Sequence, residues 1–148
     1  MDLLAEKDCP FCKMVKYELS HVVVQEDNDI LVIMDLYPAT PGHMLVLPKQ
    51  HIDNIYAMPA DLGVRIMTTA IAMAKAMKQK LFPDGVNLIQ SNEIAAGQTV
   101  PHFHLHIVPR YRGDAVLLRF GHGNIPEKIT KLERIASLMR STIREGEA

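Results

Sequence analysis

Short apolar runs bounded by turn-forming residues predict five β-strands in this chain. The valine-rich residues 22–24 and the apolar run 30–35 flank the acidic and amide residues 26–29, a pattern that is typical of a β-hairpin. A third run is stopped by Pro48, and two more follow in the second half of the chain. The predicted strands cover residues 22–24, 30–35, 43–47, 86–91 and 103–111.

Apolar residues spaced three and four positions apart predict two helices, one over 59–81 and one from Pro126 to about residue 144. The break at 83–85 (Pro-Asp-Gly) ends the first helix, and Pro126 suits the first turn of the second. Residues 120–124 between them are expected to form a loop. The apolar stripe of the first helix consists of Leu62, Ile66, Ala70, Met73, Met77 and Leu81.

The order of these elements predicts the fold class. A hairpin comes first and the remaining strands lie on either side of one long helix, which favours an α+β fold over repeated βαβ units. We therefore expect a five-stranded, mainly antiparallel sheet with one long helix and a C-terminal helix. The length of 148 residues suits a single domain, residues 1–148, in which 112–148 form a C-terminal extension that ends in the second helix.

The composition excludes several classes of protein. The net charge is −1 and charged residues make up 22% of the chain, so no overall field attracts a nucleic acid or an anionic membrane. No apolar run approaches the roughly 20 residues that a membrane span needs. Residues 1–7 contain two acids and do not resemble a signal peptide. We expect a cytoplasmic protein with no nucleic-acid partner and no membrane partner.

Three of the seven histidines alternate with apolar residues at the start of the fifth predicted strand. His102, His104 and His106 occupy positions i, i+2 and i+4, which share one face of a strand. Their imidazoles are therefore expected to line one surface, and they titrate near neutral pH. The apolar residues between and after them are expected to point into the core; these are Phe103, Leu105 and Ile107.

Two chemistries suit such an array: zinc binding, and catalysis by a nucleophilic imidazole assisted by a second one. Three ligands at alternate positions of one strand spread over about 13 Å, so they converge on a single ion only with distortion. The preceding loop 96–100 supplies backbone N–H groups that can hold phosphate oxygens. The pattern favours histidine catalysis, and a metal-dependent hydrolase is the alternative.

Three segments together resemble the histidine triad family. Residues 97–108, GQTVPHFHLHIV, match its signature of three histidines alternating with apolar residues. Residues 35–51, DLYPATPGHMLVLPKQH, and residues 9–12, CPFC, are similar to upstream parts of the same family. The resemblance covers about the first three quarters of the chain in the expected order, and the chain is identified as a member of this family.

The resemblance implies a nucleotide hydrolase or transferase that acts at the α-phosphate of nucleoside phosphoramidates or dinucleoside polyphosphates. The second histidine of the triad, His104, would attack the α-phosphorus and form a nucleotidyl-histidine, from which water releases the nucleoside monophosphate. The main chain near His102 would accept a hydrogen bond from His104. His106 would contact the phosphate and stabilise charge, aided by His43.

The resemblance also implies a set of nucleotide-binding residues. Asp35 would accept hydrogen bonds from the ribose hydroxyls, and Asn92 would contact the nucleotide. Gly97 and Thr99 would bind phosphate oxygens, while Gln98 would lie near the leaving group. The nucleotide is expected to carry adenine or guanine.

The family resemblance implies an architecture in which two monomers pair through the long helix and a sheet edge, so a homodimer is expected. The base pocket should be apolar, and Ile30, Leu36 or neighbouring residues are candidates to line it.

The two cysteines form a C-x-x-C pair, Cys9 and Cys12, which suits half of a metal site in a reducing compartment. Similar microbial family members complete such a site with a histidine after the Pro-Lys segment and with the first triad histidine. The resemblance thus implies a closed, structural zinc site formed by Cys9, Cys12, His51 and His102, with no organic cofactor. A pair of reduced, partly buried thiols is the alternative.

The sequence is compatible with more than one substrate class and with a non-enzymatic role. Phosphoramidates and dinucleoside polyphosphates suit the loop before the triad equally well, whereas His106 argues against a nucleotidyltransferase that acts on sugar phosphates. A nucleotide-sensing dimer with incidental turnover is an alternative, because the same residues would bind and react. Two further histidines, His21 and His122, have no assigned role.

Overall fold

The computed structural model describes residues 3–118 and 126–144 and contains both helices and strands. The chain divides into two compact units, Met1–Val116 and Leu117–Ala148. The helices of the first unit are α1 (Leu3–Asp8), α2 (Pro10–Val15) and α3 (Ala60–Leu81). Its strands are β1 (Val23–Glu26), β2 (Ile30–Met34), β3 (Met44–Pro48), β4 (Gly85–Gln90) and β5 (Leu105–Arg110). The second unit contains α4 (Ile129–Arg144).

The five strands form one sheet in the order β1-β2-β3-β5-β4, with every neighbouring pair antiparallel. This confirms the predicted α+β fold with an antiparallel sheet. Leu45 is opposite Ile33 on β2 and opposite His106 on β5. Directly paired residues share a face of the sheet, so the third triad histidine lies over an apolar surface.

Helix α3 covers one face of the sheet. Its buried positions Ile66, Ala70, Met73 and Met77 follow the predicted three- and four-residue spacing. They pack against alternate residues of the strands and against the segment before β5. These sheet residues are Ile30, Val32, Met44, Val46, Phe103, Leu105 and Ile107. The predicted inward orientation of the three apolar residues in the histidine motif is therefore confirmed.

The short helix α2 lies at the other face. Phe11 and Met14 of α2 pack in a second buried cluster with the strand residues that alternate with the first set, namely Leu31, Ile33, Leu45 and Leu47. Because successive strand residues point to opposite faces, the cysteine-bearing segment and helix α3 sandwich the sheet. The third triad histidine, which is paired to Leu45, therefore shares its face with α2.

The start of β5 differs from the prediction. The ladder begins at Leu105 rather than at residue 103, because the main chain before it makes other contacts. The Phe103 N–H donates to the Ile52 carbonyl (2.6 Å), and the His102 N–H donates to the Val100 carbonyl (2.8 Å). Only the third triad histidine belongs to the paired strand. The first two lie in an irregular segment that is free to direct their rings differently.

The C-terminal helix is present as α4, which begins three residues after Pro126. The loop predicted over 120–124, with His122, lies outside the described residues. Within the described ranges, no helix combines the length and the apolar character needed to cross a bilayer.

Candidate active site and metal centre

His104 is held in one tautomer by the triad's own main chain. Its Nδ1–H donates a 2.7 Å hydrogen bond to the carbonyl of His102, which leaves the lone pair on Nε2. The residue is only 6% exposed. Burial lowers the pKa of His104 below the usual value for histidine, so the ring is neutral near pH 7. A neutral, oriented imidazole with a free Nε2 is the form that a nucleophile requires.

His106 receives its orientation from a short chain of hydrogen bonds. The Ala39 N–H donates to His43 Nδ1 (3.0 Å), so the proton of neutral His43 is on Nε2. That Nε2–H donates to His106 Nδ1 (2.9 Å), which leaves the N–H of His106 on Nε2. Burial lowers the pKa of His43, and burial with the nearby imidazoles lowers the pKa of His106 to about 4. His106 is therefore a neutral hydrogen-bond donor at neutral pH.

The Asp35 carboxylate lies at the same corner. Its Oδ2 is 3.4 Å from His43 Nε2 and 3.9 Å from His106 Nδ1, and its Oδ1 accepts a hydrogen bond from the Tyr37 N–H (2.8 Å). These three side chains have the composition of a divalent-cation site. The Ala39 N–H argues against that use, because it occupies His43 Nδ1 and so keeps the proton on the nitrogen that would bind the cation.

A pocket of about 270 Å³ opens beside these groups. His104, His106, Asp35 and Thr99 form its polar edge. Tyr37 also borders the pocket, and the remaining wall is apolar and comes from α2, β2 and the segment after it, β3 and the loop before the triad. These apolar residues are Pro10, Phe11, Met14, Ile33, Met34, Leu36, Leu45 and Val100. A largely apolar cleft with a few converging polar groups is typical of a small-molecule site.

The contribution of α2 to this pocket was missed in the sequence. Phe11 and Met14 lie beside the C-x-x-C pair, and only their flanking position offered a signal. Leu36, a candidate for the base pocket, borders the pocket. Ile30, the other candidate, packs under helix α3, because its position in β2 points to the opposite face from that of Ile33.

The loop before the triad is held by Gln98. Its Nε2 donates to the Asp53 carbonyl (2.6 Å), and its Oε1 accepts from the Glu93 N–H (2.7 Å). The loop backbone is left-handed at Glu93 (φ 69°) and at Gly97 (φ 89°), and glycine adopts the latter without steric cost. Both polar ends of Gln98 are thus engaged inside the protein, whereas the exposed Thr99 borders the pocket.

Asn92 also makes internal hydrogen bonds. Its Oδ1 accepts from the Ile55 N–H (2.8 Å), and its amide pairs reciprocally with that of Gln90 at 2.7 and 2.9 Å. Asn92 therefore connects the end of β4 to the segment after β3 and is not among the residues that line the pocket.

Four side chains converge on a second site under the pocket. The ligand atoms of Cys9, Cys12, His51 and His102 all lie within 4.8 Å of one another. His102 Nδ1 is 3.4 Å from Cys9 Sγ and 3.6 Å from Cys12 Sγ, while His51 Nδ1 is 3.2 Å from Cys12 Sγ. The structure thus brings together the four residues that the family resemblance implied as metal ligands.

The outer hydrogen bonds of the two imidazoles suit metal binding. His102 Nε2–H donates to the Pro48 carbonyl (2.8 Å), and His51 Nε2–H donates to Asp53 Oδ1 (2.9 Å). Each ring therefore presents its Nδ1 lone pair to the thiols, and zinc-binding histidines usually donate their other N–H to a carbonyl or carboxylate in the same way. His102 is completely buried, and burial lowers its pKa to about 4, which keeps it neutral.

The thiols provide a test of whether a cation fits. Both are buried, and burial together with the neighbouring Cys9 raises the pKa of Cys12 to about 12. Two adjacent thiolates are costly here unless a cation neutralises them. Two thiolates and two neutral imidazoles at these separations form the donor set of a closed tetrahedral zinc site. The residues present fit a structural zinc ion.

Comparison with known proteins agrees with this geometry. The HIT domain profile matches residues 16–113. The chain belongs to the HIT (histidine triad) domain family. The crystal structure of SMU.412c from Streptococcus mutans superposes with a TM-score of 0.86 at 36% identity, covering 92% of this chain and 85% of that protein.

Two other relatives bear on the chemistry. The crystal structure of a zinc-bound histidine triad family protein from Mycobacterium smegmatis is 31% identical, with a TM-score of 0.72 over 93% of this chain and 99% of that one. The adenylylsulfatase HINT3 of Arabidopsis thaliana is 30% identical over 139 residues, which are 94% of this chain and 69% of that protein.

Proposed function

We propose that this protein hydrolyses nucleotides at the α-phosphate through a covalent nucleotidyl-histidine on His104 and releases a nucleoside monophosphate. The observation that carries the proposal is the 2.7 Å hydrogen bond from His104 Nδ1–H to the His102 carbonyl. It leaves the nucleophilic Nε2 free on a side chain that lines the pocket.

In the first step, His104 Nε2 forms a bond to the α-phosphorus while the bond from phosphorus to the leaving oxygen or nitrogen breaks. The imidazole gains positive charge, which the carbonyl of His102 stabilises through the existing hydrogen bond. A nitrogen leaving group takes up a proton from solvent, and an oxygen leaving group departs as its anion. In the second step, water attacks the phosphorus and releases a proton to solvent, the P–N bond to His104 breaks, and the nucleoside monophosphate departs.

His106 acts as a donor in both steps. Its Nε2–H is directed by the hydrogen bond that Nδ1 accepts from His43, and it can donate to a non-bridging phosphate oxygen or to the leaving atom. Because burial holds its pKa near 4, His106 supplies a hydrogen bond and not a fixed positive charge at neutral pH. Thr99 and the N–H groups after Gly97 bind the remaining phosphate oxygens.

The nucleoside occupies the 270 Å³ pocket, with its base against the apolar wall. Asp35 accepts hydrogen bonds from the ribose hydroxyls, since its Oδ2 makes only long contacts with the two imidazoles. Asn92 and Gln98 support the loop around the phosphates and do not contact the substrate directly, because their polar atoms bind neighbouring backbone and side-chain groups.

Cys9, Cys12, His51 and His102 hold a structural zinc ion. The ion would fix the N-terminal segment to the sheet and add no chemistry to the reaction. His102 belongs to both centres: its ring binds the metal and its carbonyl orients the nucleophile.

The substrate is a nucleoside monophosphate joined to a leaving group through a phosphoramidate, phosphoanhydride or mixed anhydride bond. The name of the Arabidopsis relative adds adenylyl sulfate to the phosphoramidates and dinucleoside polyphosphates expected from the sequence. All three present the same α-phosphate to His104 and differ in the leaving group, which is joined through nitrogen in a phosphoramidate and through oxygen in the other two.

A homodimer is part of the proposal. Helix α3 buries one stripe on its own sheet and exposes a second apolar stripe, which includes Val64, Met67 and Ile71. An exposed apolar helix face of this kind suits contact with a second copy. Sedimentation that gives a monomer mass at micromolar concentration would contradict this part alone.

The test compares AMP release from adenosine 5′-phosphoramidate, diadenosine tetraphosphate and adenylyl sulfate by the wild type and by His104→Asn. We expect release by the wild type and loss of at least about 10³-fold in the variant, with AMP binding retained. After the reaction is quenched without acid, radiolabel from an α-³²P substrate should remain on the wild-type protein. Acid treatment should then release this label. Tight AMP binding without release from any substrate would favour a nucleotide sensor.

A further inference from the structure

Helix α2 connects the metal centre to the nucleotide pocket. Cys9 caps this helix by accepting the Cys12 N–H at its Sγ (3.4 Å), so both thiols belong to its first turn. The same six residues supply Pro10, Phe11 and Met14 to the pocket wall. A helix of this length is not stable by itself in water. Its position therefore depends on the contacts at its cysteine end and on packing beneath it.

Phe11 lies at the centre of this connection. Its ring packs edge-on against the ring of His102, with centroids 5.6 Å apart, and at a tilt against the ring of His104, with centroids 5.0 Å apart. It is only 6% exposed and lines the pocket. One side chain thus contacts a metal ligand, the proposed nucleophile and the space in which the nucleotide is expected to bind.

A second part of the pocket wall, the loop before the triad, is also connected to the metal centre. His51 Nε2–H donates to the Asp53 carboxylate, and the Asp53 carbonyl accepts from Gln98 Nε2. The next two residues after Gln98, Thr99 and Val100, border the pocket. The two parts of the pocket wall formed by α2 and by the loop before the triad are therefore each connected to residues that would bind the same ion.

We propose that metal binding at Cys9, Cys12, His51 and His102 and nucleotide binding in the pocket are energetically coupled, and that Phe11 is the positioning residue that transmits this coupling. The inference rests on the proposed nucleotide pocket. The ion holds the first turn of α2 against the sheet, which keeps Phe11 in the pocket wall and against His104. A nucleotide that packs on Phe11 stabilises the same position of α2 and so tightens metal binding by the same factor.

Loss of the ion should loosen α2 without unfolding the protein. Phe11 and Met14 also pack with Leu31, Ile33 and Leu45 in the second buried cluster, and that packing does not require a metal. The coupling is therefore measured through the affinities for zinc and nucleotide. The free energy of unfolding is less specific, because it depends on the packing of the whole buried cluster.

The experiment measures the two affinities in the full chain. AMP and GMP are titrated calorimetrically into zinc-loaded protein and into protein stripped by chelation, and the tighter nucleotide is kept. The zinc affinity is then measured by competition with a chromophoric chelator, with and without saturating nucleotide. We expect zinc to tighten nucleotide binding about tenfold, and the nucleotide to tighten zinc binding by an equal factor, within the usual range for coupled sites.

Two variants test the role of Phe11. Phe11→Ala should lower nucleotide affinity in the zinc-loaded protein and reduce the coupling factor to near one, while zinc affinity without nucleotide changes little. Leu31→Ala is the matched control, since Leu31 is buried in the same cluster and does not line the pocket. It should lower thermal stability and leave the coupling factor at the wild-type value. Phe11→Leu, which keeps a large apolar side chain, should restore part of the coupling.

The outcomes separate the two proposals. Equal nucleotide affinity with and without zinc would overturn the coupling and leave the proposed function standing. Zinc-loaded protein that binds neither AMP nor GMP would overturn both. A coupling factor that falls equally in Leu31→Ala and Phe11→Ala would assign the effect to general packing and overturn the role of Phe11.

Discussion

His43 Nε2 donates a hydrogen bond of 2.9 Å to His106 Nδ1 across strands β3 and β5. The donor, His43, immediately precedes β3. The acceptor, His106, is paired in the sheet with Leu45, which follows His43 by two residues. The Ala39 N–H fixes the tautomer of the donor ring from the loop before it. Neighbouring imidazoles, each with a defined proton, therefore arise from backbone pairing of segments more than 60 residues apart.

This relationship predicts the effect of removing His43. In His43→Ala, His106 loses the donor to its Nδ1, so its ring orientation and tautomer are no longer fixed. We expect kcat for AMP release to fall about 10- to 100-fold, a loss typical of a misplaced hydrogen-bond donor. His21→Ala is the matched histidine control, because His21 hydrogen-bonds to the nearby Leu19 carbonyl and does not line the pocket, and it should keep the wild-type kcat. Unchanged kcat in His43→Ala would contradict the orienting role.

A substitution of Gln98 distinguishes two roles for this residue: holding the loop before the triad, and contacting the leaving group. In Gln98→Ala, the Asp53 carbonyl and the Glu93 N–H both lose a partner. We expect the unliganded protein to lose about 1–3 kcal/mol in free energy of unfolding, measured with urea. A residue that only contacts the leaving group would change kcat and leave the stability of the unliganded protein intact.

The metal centre predicts a stoichiometry and a stability effect. Purified protein should contain about one zinc ion per chain, as four ligands from one chain require. Cys12→Ser should reduce the zinc content and lower the Tm by about 5 °C or more, because metal binding contributes to folding stability. The measurements are elemental analysis and calorimetry. Protein prepared without chelators that contains no metal would refute the site.

Asp114 predicts a pH-dependent contribution to stability. Its carboxylate binds the Arg110 guanidinium at 2.7 and 2.8 Å and accepts the Tyr111 N–H, and these contacts hold its pKa far below the usual value. A depressed folded-state pKa stabilises the protein above the unfolded-state pKa of about 4 and loses this effect as the pH falls toward the folded-state value. Asp114→Asn should therefore be less stable than the wild type at pH 7, and the gap should narrow below about pH 4. A gap that stays constant down to pH 2 would exclude this linkage.

Local pattern was sufficient for most of the fold. The alternation of Phe103, Leu105 and Ile107 with the triad identified the buried face, and the spacing of Ile66, Ala70, Met73 and Met77 identified the face of α3. These features follow from the periodicity of strands and helices, which appears in the local spacing of apolar residues along the sequence. The motif around His104 was specific enough to identify the family, which the HIT domain match confirms.

Other features depend on contacts between distant segments, which periodicity does not encode. The rings of His102 and His104 diverge, one toward the cysteines and one toward the pocket, because the chain joins the ladder only at Leu105. Phe11 lines the pocket because its helix packs beside Ile33 and Leu45, and Gln98 is occupied because Asp53 approaches it. The sequence by itself therefore determines the residue types, their spacing and the chemistry that they suit. The tertiary structure alone decided the positions of the imidazole protons and the contribution of α2 to the pocket wall. Each depends on a contact with a distant segment, which only the folded chain supplies.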